Sequence, residues 1–85
     1  MKVRKELLTA QEGLKPKTLV ELYGAERLLV EHHGGIRSYG TERIRIAATF
    51  GCLVVEGREL RLCCMSRSQL VIQGRIDCVS VERGS

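Results

Sequence analysis

Four cysteines and two adjacent histidines are the side chains of this 85-residue chain best suited to metal or nucleophilic chemistry. The cysteines stand at Cys52, Cys63, Cys64 and Cys78, with no CxxC pair among them. Neighbouring residues of a strand point to opposite faces, so Cys63 and Cys64 do not close one tetrahedral zinc site without distortion. In a reducing compartment Cys64 and Cys78 read as small core hydrophobes, whereas Cys52, placed on an expected turn, reads as an accessible thiol. His32 and His33 diverge for the same reason, and no acid or hydroxyl at a telling spacing completes a nucleophile arrangement. Glu31, His32, Tyr39 and Glu42 flank a glycine-rich loop and are the nearest thing to a convergent polar set. Such a set occurs in many short chains, and no catalytic residue, metal ligand or cofactor site is assigned. LVVEGRE lacks the glycine and lysine order of a phosphate-binding loop, and no cofactor is expected.

Charge is the other candidate for chemistry. Residues 1 to 17 hold all four lysines, and Lys2, Arg4, Lys5, Lys15 and Lys17 are opposed there only by Glu6 and Glu12. The rest of the chain sets nine arginines against eight acids. The basic character therefore belongs to a leader, suited to an anionic surface, while the body carries a mixed face. Arg37, Arg43, Arg45, Arg61 and Arg75 form a candidate stripe for nucleic acid, interleaved with Glu42, Glu59 and Asp77. Base-stacking aromatics are scarce, with no Trp, one Phe and two Tyr, so a nucleic-acid-binding regulator stands as the alternative reading. Arg43 and Arg45 are kept as partner contacts, and His32, His33, Gly34, Gly35 and Tyr39 as the loop where function is expected.

The elements that must position these residues follow a period of two. In TERIRIAATF, Ile44, Ile46, Ala48 and Phe50 share one face while Arg43, Arg45 and Thr49 share the other, the mark of a half-buried strand. A two-residue turn at Gly51-Cys52 pairs Phe50 with Leu53 and Ala48 with Val55. A loop over Glu56-Gly57-Arg58-Glu59 then sets Val55 against Leu60, and a further turn lies around Ser66-Arg67-Ser68. LVVEGREL from Leu53 and LVIQGRID from Leu70 are near copies, and LVELYGA from Leu19 and LVEHHGG from Leu29 are looser ones. Each reads as a strand running into a turn. At Gly74 two readings stay open, a long strand bent at glycine or a three-residue loop pairing Ile72 with Ile76. HHGGIRSYG is the longest break in the pattern.

The expected fold is all-β: a small antiparallel meander rolled into a sandwich or a short solenoid-like body over residues 18 to 85. Residues 1 to 17 form a leader, either a short helix or disordered. The core is assigned to Ile44, Ile46, Leu53, Val55, Leu60, Leu62, Leu70 and Ile72. No stretch is apolar for the roughly 20 residues a membrane span needs. MKVRKELL lacks the apolar run of a signal peptide, which makes cytosol the expected compartment.

The run VEHHGGIRSYGTERIRIAATFGCLVVEGRELRL, followed by LVIQGRIDCVSVE, resembles the YabP/YqfC family of sporulation proteins, and its YqfC branch more than the other. The similar elements are the strand and loop of VEHHGG, the approach to IRI through Glu42, the GCLVVEGRELRL segment and the closing LVIQGRIDCVSVE. The resemblance covers residues 14 to 82. It implies a small protein of endospore-forming bacteria, made in the mother cell during sporulation, with no assigned enzymatic activity. It also implies a protein partner, a membrane-associated sporulation protein, by association alone. Homo-oligomerisation through sheet edges is a second expectation of such a body.

Overall fold

The computed structural model describes residues 16–83. The expected leader lies outside the described residues apart from Pro16 and Lys17. Six strands follow: β1 (Leu19–Tyr23), β2 (Arg27–Glu31), β3 (Ile36–Tyr39), β4 (Arg43–Ala48), β5 (Gly51–Met65) and β6 (Gln69–Glu82). The chain is all-β over this range, and all pairings are antiparallel in one open sheet of order β1-β2-β6-β5-β4-β3. Strands β3 to β6 are a meander, as the period-two pattern implies. The β1–β2 hairpin is added beyond β6, so β2–β6 is the one neighbour pair distant in sequence.

The long β5–β6 hairpin serves two half-sheets. Near its open end β5 pairs with β4, from Arg43↔Glu56 to Ala48↔Gly51. Near its turn β6 pairs with β2, from Arg27↔Gln73 to Glu31↔Gln69. Between these stretches the β5–β6 register shifts at Glu56/Gly57 and again at Arg58/Arg61, leaving Asp77, then Glu59 and Leu60, outside simple pairing. Successive bulges bend a strand pair. The halves turn their apolar faces together, because Leu28, Val30, Leu70 and Ile72 of one share a core with Ile44, Ile46, Leu53 and Val55 of the other. Leu60 and Ile76 complete it at the bend. Seven of the eight residues assigned from sequence are buried there, and Leu62 packs against them half-buried.

Two glycines make the bend. A Cβ on Gly57 would sit 1.8 Å from the Arg75 carbonyl oxygen, and one on Gly74, whose φ is +140°, 2.5 Å from that of Glu59. Backbone groups freed by the bulges find partners in the flanking turns. Gly57 and Leu60 donate to the carbonyls of Glu42 and Thr41, while Gly74 and Ile76 donate to those of Glu26 and Ala25. The near copies LVVEGREL and LVIQGRID are thus two antiparallel passes through one bend, with Arg58 directly across from Arg75.

Several turns differ from the sequence reading. The first lies at Thr49-Phe50, so Leu53 pairs with Ile46 rather than Phe50, a four-residue slide that keeps every side chain on its expected face. There is no loop at Glu56-Gly57-Arg58-Glu59, because a bulged strand retains the ladder that a loop would give up. At Gly74 the bent strand is the form adopted. The HHGGIRSYG break contains β3.

Candidate functional site

The outward side of β4, β5 and β6 carries the charges singled out from sequence. Arg43 meets Glu56 at 3.5 Å and Glu82 at 3.4 Å, and Arg45 meets Glu82 at 2.9 Å. In register Arg45 lies beside Val54, and Glu82 beside Cys52. The Arg45–Glu82 pair therefore spans β5 at the level of Cys52 and Val54, and both are buried although they lie on the outer face. The hydrogen bond to Glu82, and then the Cys52 side chain, raise the Arg45 guanidinium above its ordinary pKa. Arg43 and Arg45 both take part in intramolecular ion pairs on a face that remains partly exposed.

The cysteine assignments are reversed. Cys52 is buried, while Cys63, Cys64 and Cys78 are exposed. The slide of the first turn carries Cys52 into β5. A further register shift between Leu62 and Cys64 turns Cys63 and Cys64 outward, and Cys78 is on the outer face opposite Glu56. Among the described residues, no group of three or more His, Cys, Asp or Glu side chains is placed to hold a metal ion.

The His32–Gly35 loop is a crossing between half-sheets. It leaves β2 in one and enters β3 in the other, and His32 takes a left-handed φ of 61° to make the turn. The His32 amide donates to the Ser68 carbonyl, Gly34 donates to Ala47 and Ala47 to Gly35. His33 is held at both ring nitrogens. Nδ1 accepts from the Gly35 amide at 3.0 Å, so in the neutral ring Nε2 carries the proton and donates to the Ser66 carbonyl at 3.0 Å. His32 Nδ1 is buried and has no hydrogen-bond partner among the described residues. Thr18 closes the same end, exchanging amide-to-hydroxyl hydrogen bonds with Thr49 and donating its hydroxyl to the His32 carbonyl. The sequence reading missed this clasp, for an isolated buried Thr has no periodic signal.

Tyr39 is likewise a strut. From β3 its hydroxyl accepts a hydrogen bond from the Leu62 amide at 3.1 Å, reaching past β4 to the far part of β5. The expected loop residues are thus brought to the crossing and to one flank of the bent sheet. The set Glu31, His32, Tyr39 and Glu42 does not assemble through any hydrogen bond found among its members in the described residues. Lys17 is exposed just ahead of β1. Lys2, Arg4, Lys5 and Lys15 lie outside the described residues.

A second arginine group lies near the bend, joining Arg61 and Arg75 of the stripe read from sequence with Arg27 and Arg58, which that stripe left out. Arg27, Gln73 and Arg61 occupy one register row across β2, β6 and β5, next to the opposed Arg58 and Arg75. Arg75 pairs with Asp77 at 3.1 Å, and Glu26, Glu42 and Glu59 line the same shallow clefts. The repeated GR dipeptide was the available signal, once the copies were taken as paired rather than successive.

Fold and site together define a small open-sheet β protein whose conspicuous polar side chains tie strand to strand and layer to layer. A family model described as the YabP family matches residues 15–85, and the chain belongs to that family. The match is at family level and does not separate the YqfC branch. Membership is consistent with a sporulation-associated protein. Comparison with curated proteins and with solved structures gives no significant match. Among the described residues no helix is long and apolar enough to cross a membrane.

Proposed function

We propose that this protein is a non-catalytic sporulation protein of the mother cell, acting as an assembly or adaptor module beside the forespore membranes. One observation carries the reading: the sheet is open, with β1 and β3 as edge strands, while His33 and Tyr39 of the expected functional loop are tied into the fold by hydrogen bonds. An open edge offers strand addition to a protein partner. Lys2, Arg4, Lys5, Lys15 and Lys17 add attraction to an anionic membrane surface, each about 1 kcal/mol at most and screened by salt. That is too little to anchor the protein alone, so the reading includes a membrane-associated protein partner.

Affinity capture from sporulating cells, with full-length protein and a form lacking residues 2 to 17, tests this. The full-length protein is expected to retain a membrane-associated sporulation protein, and the shortened form less of it. Gene deletion is expected to arrest sporulation and spare vegetative growth. Normal sporulation in a deletion strain without a paralogue overturns the assignment.

The arginines near the bend favour a second reading, a nucleic-acid-binding regulator. Arg27, Arg58 and Arg61 have no ion pair among the described residues, although Glu26, Glu42 and Glu59 line the same clefts. Salt-dependent retention on DNA or RNA that is lost in Arg58→Gln/Arg61→Gln supports it.

A further inference from the structure

The two edges of the sheet are built differently. β3 is four residues long, its pairing with β4 shifts between Ile36 and Ser38, and it carries Arg37. A short, irregular, charged edge resists pairing with another chain. β1 is one residue longer, regular, and carries a single charge, that of Glu21. Its five residues, LVELY, keep unbroken register with β2 from Leu19↔Glu31 to Tyr23↔Arg27 and include no Pro, Lys or Arg.

The core also runs out into this edge. Leu62, Ile72, Leu28 and Leu22 form one register row across β5, β6, β2 and β1, and Leu70, Val30 and Val20 form another. Leu28 and Ile72 are fully buried, yet Leu22 at the end of their row is 50% exposed. One more strand beside β1 would continue both rows. Charge says what kind of strand. β1 and the turn after it hold Glu21 and Glu26 without a cation, and Arg27 lies on β2, away from the open side. Self-pairing of two copies about a two-fold axis at Glu21 would set Glu21 against Glu21, and like charges directly opposed destabilise a sheet.

We propose that β1 is the acceptor edge for an extended segment of a partner protein in which apolar residues alternate with Lys or Arg. The apolar residues would cover Val20 and Leu22, and the cation would face Glu21. This rests on the adaptor reading and assigns its surface.

The test titrates the full-length, isotope-labelled protein with a synthetic peptide of alternating valine and lysine, following backbone amides by NMR. Saturable shifts at Leu19–Tyr23 are expected, lost when the peptide is N-methylated at alternate amides. Glu21→Lys is expected to weaken binding about tenfold and to strengthen binding of a valine–glutamate peptide, since reversing one cross-strand charge pair changes the free energy by roughly its worth twice over. Leu22→Asn is expected to weaken both peptides. Shifts centred on β3, no saturation, concentration-dependent self-association through β1, or Leu19–Tyr23 amides already all protected in the protein alone would each overturn the proposal. Capture of the membrane-associated partner that survives both Glu21→Lys and Leu22→Asn removes the edge assignment and leaves the adaptor reading standing. Failure of the wild-type protein to capture any partner removes the adaptor reading itself.

Discussion

Replacing Gly57 by alanine isolates the close approach that makes the bend. The added methyl would lie 1.8 Å from the Arg75 carbonyl oxygen, 2.9 Å from its carbon and 3.1 Å from the Ile76 Cα, all backbone atoms that do not rotate away. Relief requires β5 to shift away from β6 at the bend, a movement that also disturbs the hydrogen bonds Gly57 and Leu60 donate to Glu42 and Thr41 on the other side of β5. Overpacking against rigid surroundings costs about 1 to 3 kcal/mol, and each hydrogen bond broken with a buried group left unpaired adds about 1 to 3 kcal/mol. A loss of about 3 kcal/mol or more follows, a large part of the stability of so small a domain. Gly24→Ala is the control. It has φ +60° with no atom within 4 Å of the new methyl, so only left-handed strain of about 1 kcal/mol applies. Urea unfolding followed by circular dichroism gives both values, with m checked for constancy. If Gly57→Ala proves no more costly than Gly24→Ala, the two strands do not approach closely at the bend and the folded-over arrangement is refuted.

Three further outcomes are expected. Tyr23 should ionise above its ordinary pKa of 10.0, chiefly because its hydroxyl donates to Glu21 at 2.9 Å. The small stability this pair contributes is present below pH 10 and lost as pH rises through the raised folded value, so ultraviolet titration in a Tyr39→Phe background should shift downward with Glu21→Gln. Thiol reagents should modify Cys63, Cys64 and Cys78 before Cys52 in the native protein, and Arg45→Ala should speed the Cys52 reaction; mass spectrometry that finds Cys52 first would contradict its place beneath the Arg45–Glu82 pair. Ile72→Ala, at a fully buried position, should cost about 2 to 5 kcal/mol by chemical denaturation, while Val81→Ala, 47% exposed, should cost far less.

The legible part of this fold was its faces. Ile44, Ile46, Leu53, Val55, Leu70 and Ile72 kept their side through a four-residue error in turn position, because parity survives any even slide. What did not survive was continuity. EGRE between Val55 and Leu60 has the composition of a turn, and only the partner strand, with Gly74 opposite the Glu59-Leu60 bulge, reveals a bend within one ladder. At the candidate site, period two located Arg43 and Arg45 on the outer face, but their acid, Glu82, is 37 residues from Arg45 and no local pattern joins them. His32 and His33 were found as residues, whereas their role in the layer crossing depends on Ser66, Ser68 and Ala47, which only the topology brings near.

The connectivity of the sheet also orders its assembly. Turns at Gly24–Glu26, Gly40–Glu42, Thr49–Phe50 and Ser66–Ser68 join strands that are neighbours both along the chain and across the sheet. Their closure involves short loops and little entropy. Docking of β2 on β6 joins residues that are 38 apart at Glu31 and Gln69, and it must await the bent hairpin that receives it. The β1–β2 hairpin is consequently expected to arrive last and to leave first, exposing the core. Slow steps in refolding should track substitutions along the β2–β6 seam, and local opening should begin there, with the meander of β3 to β6 persisting as the more durable unit.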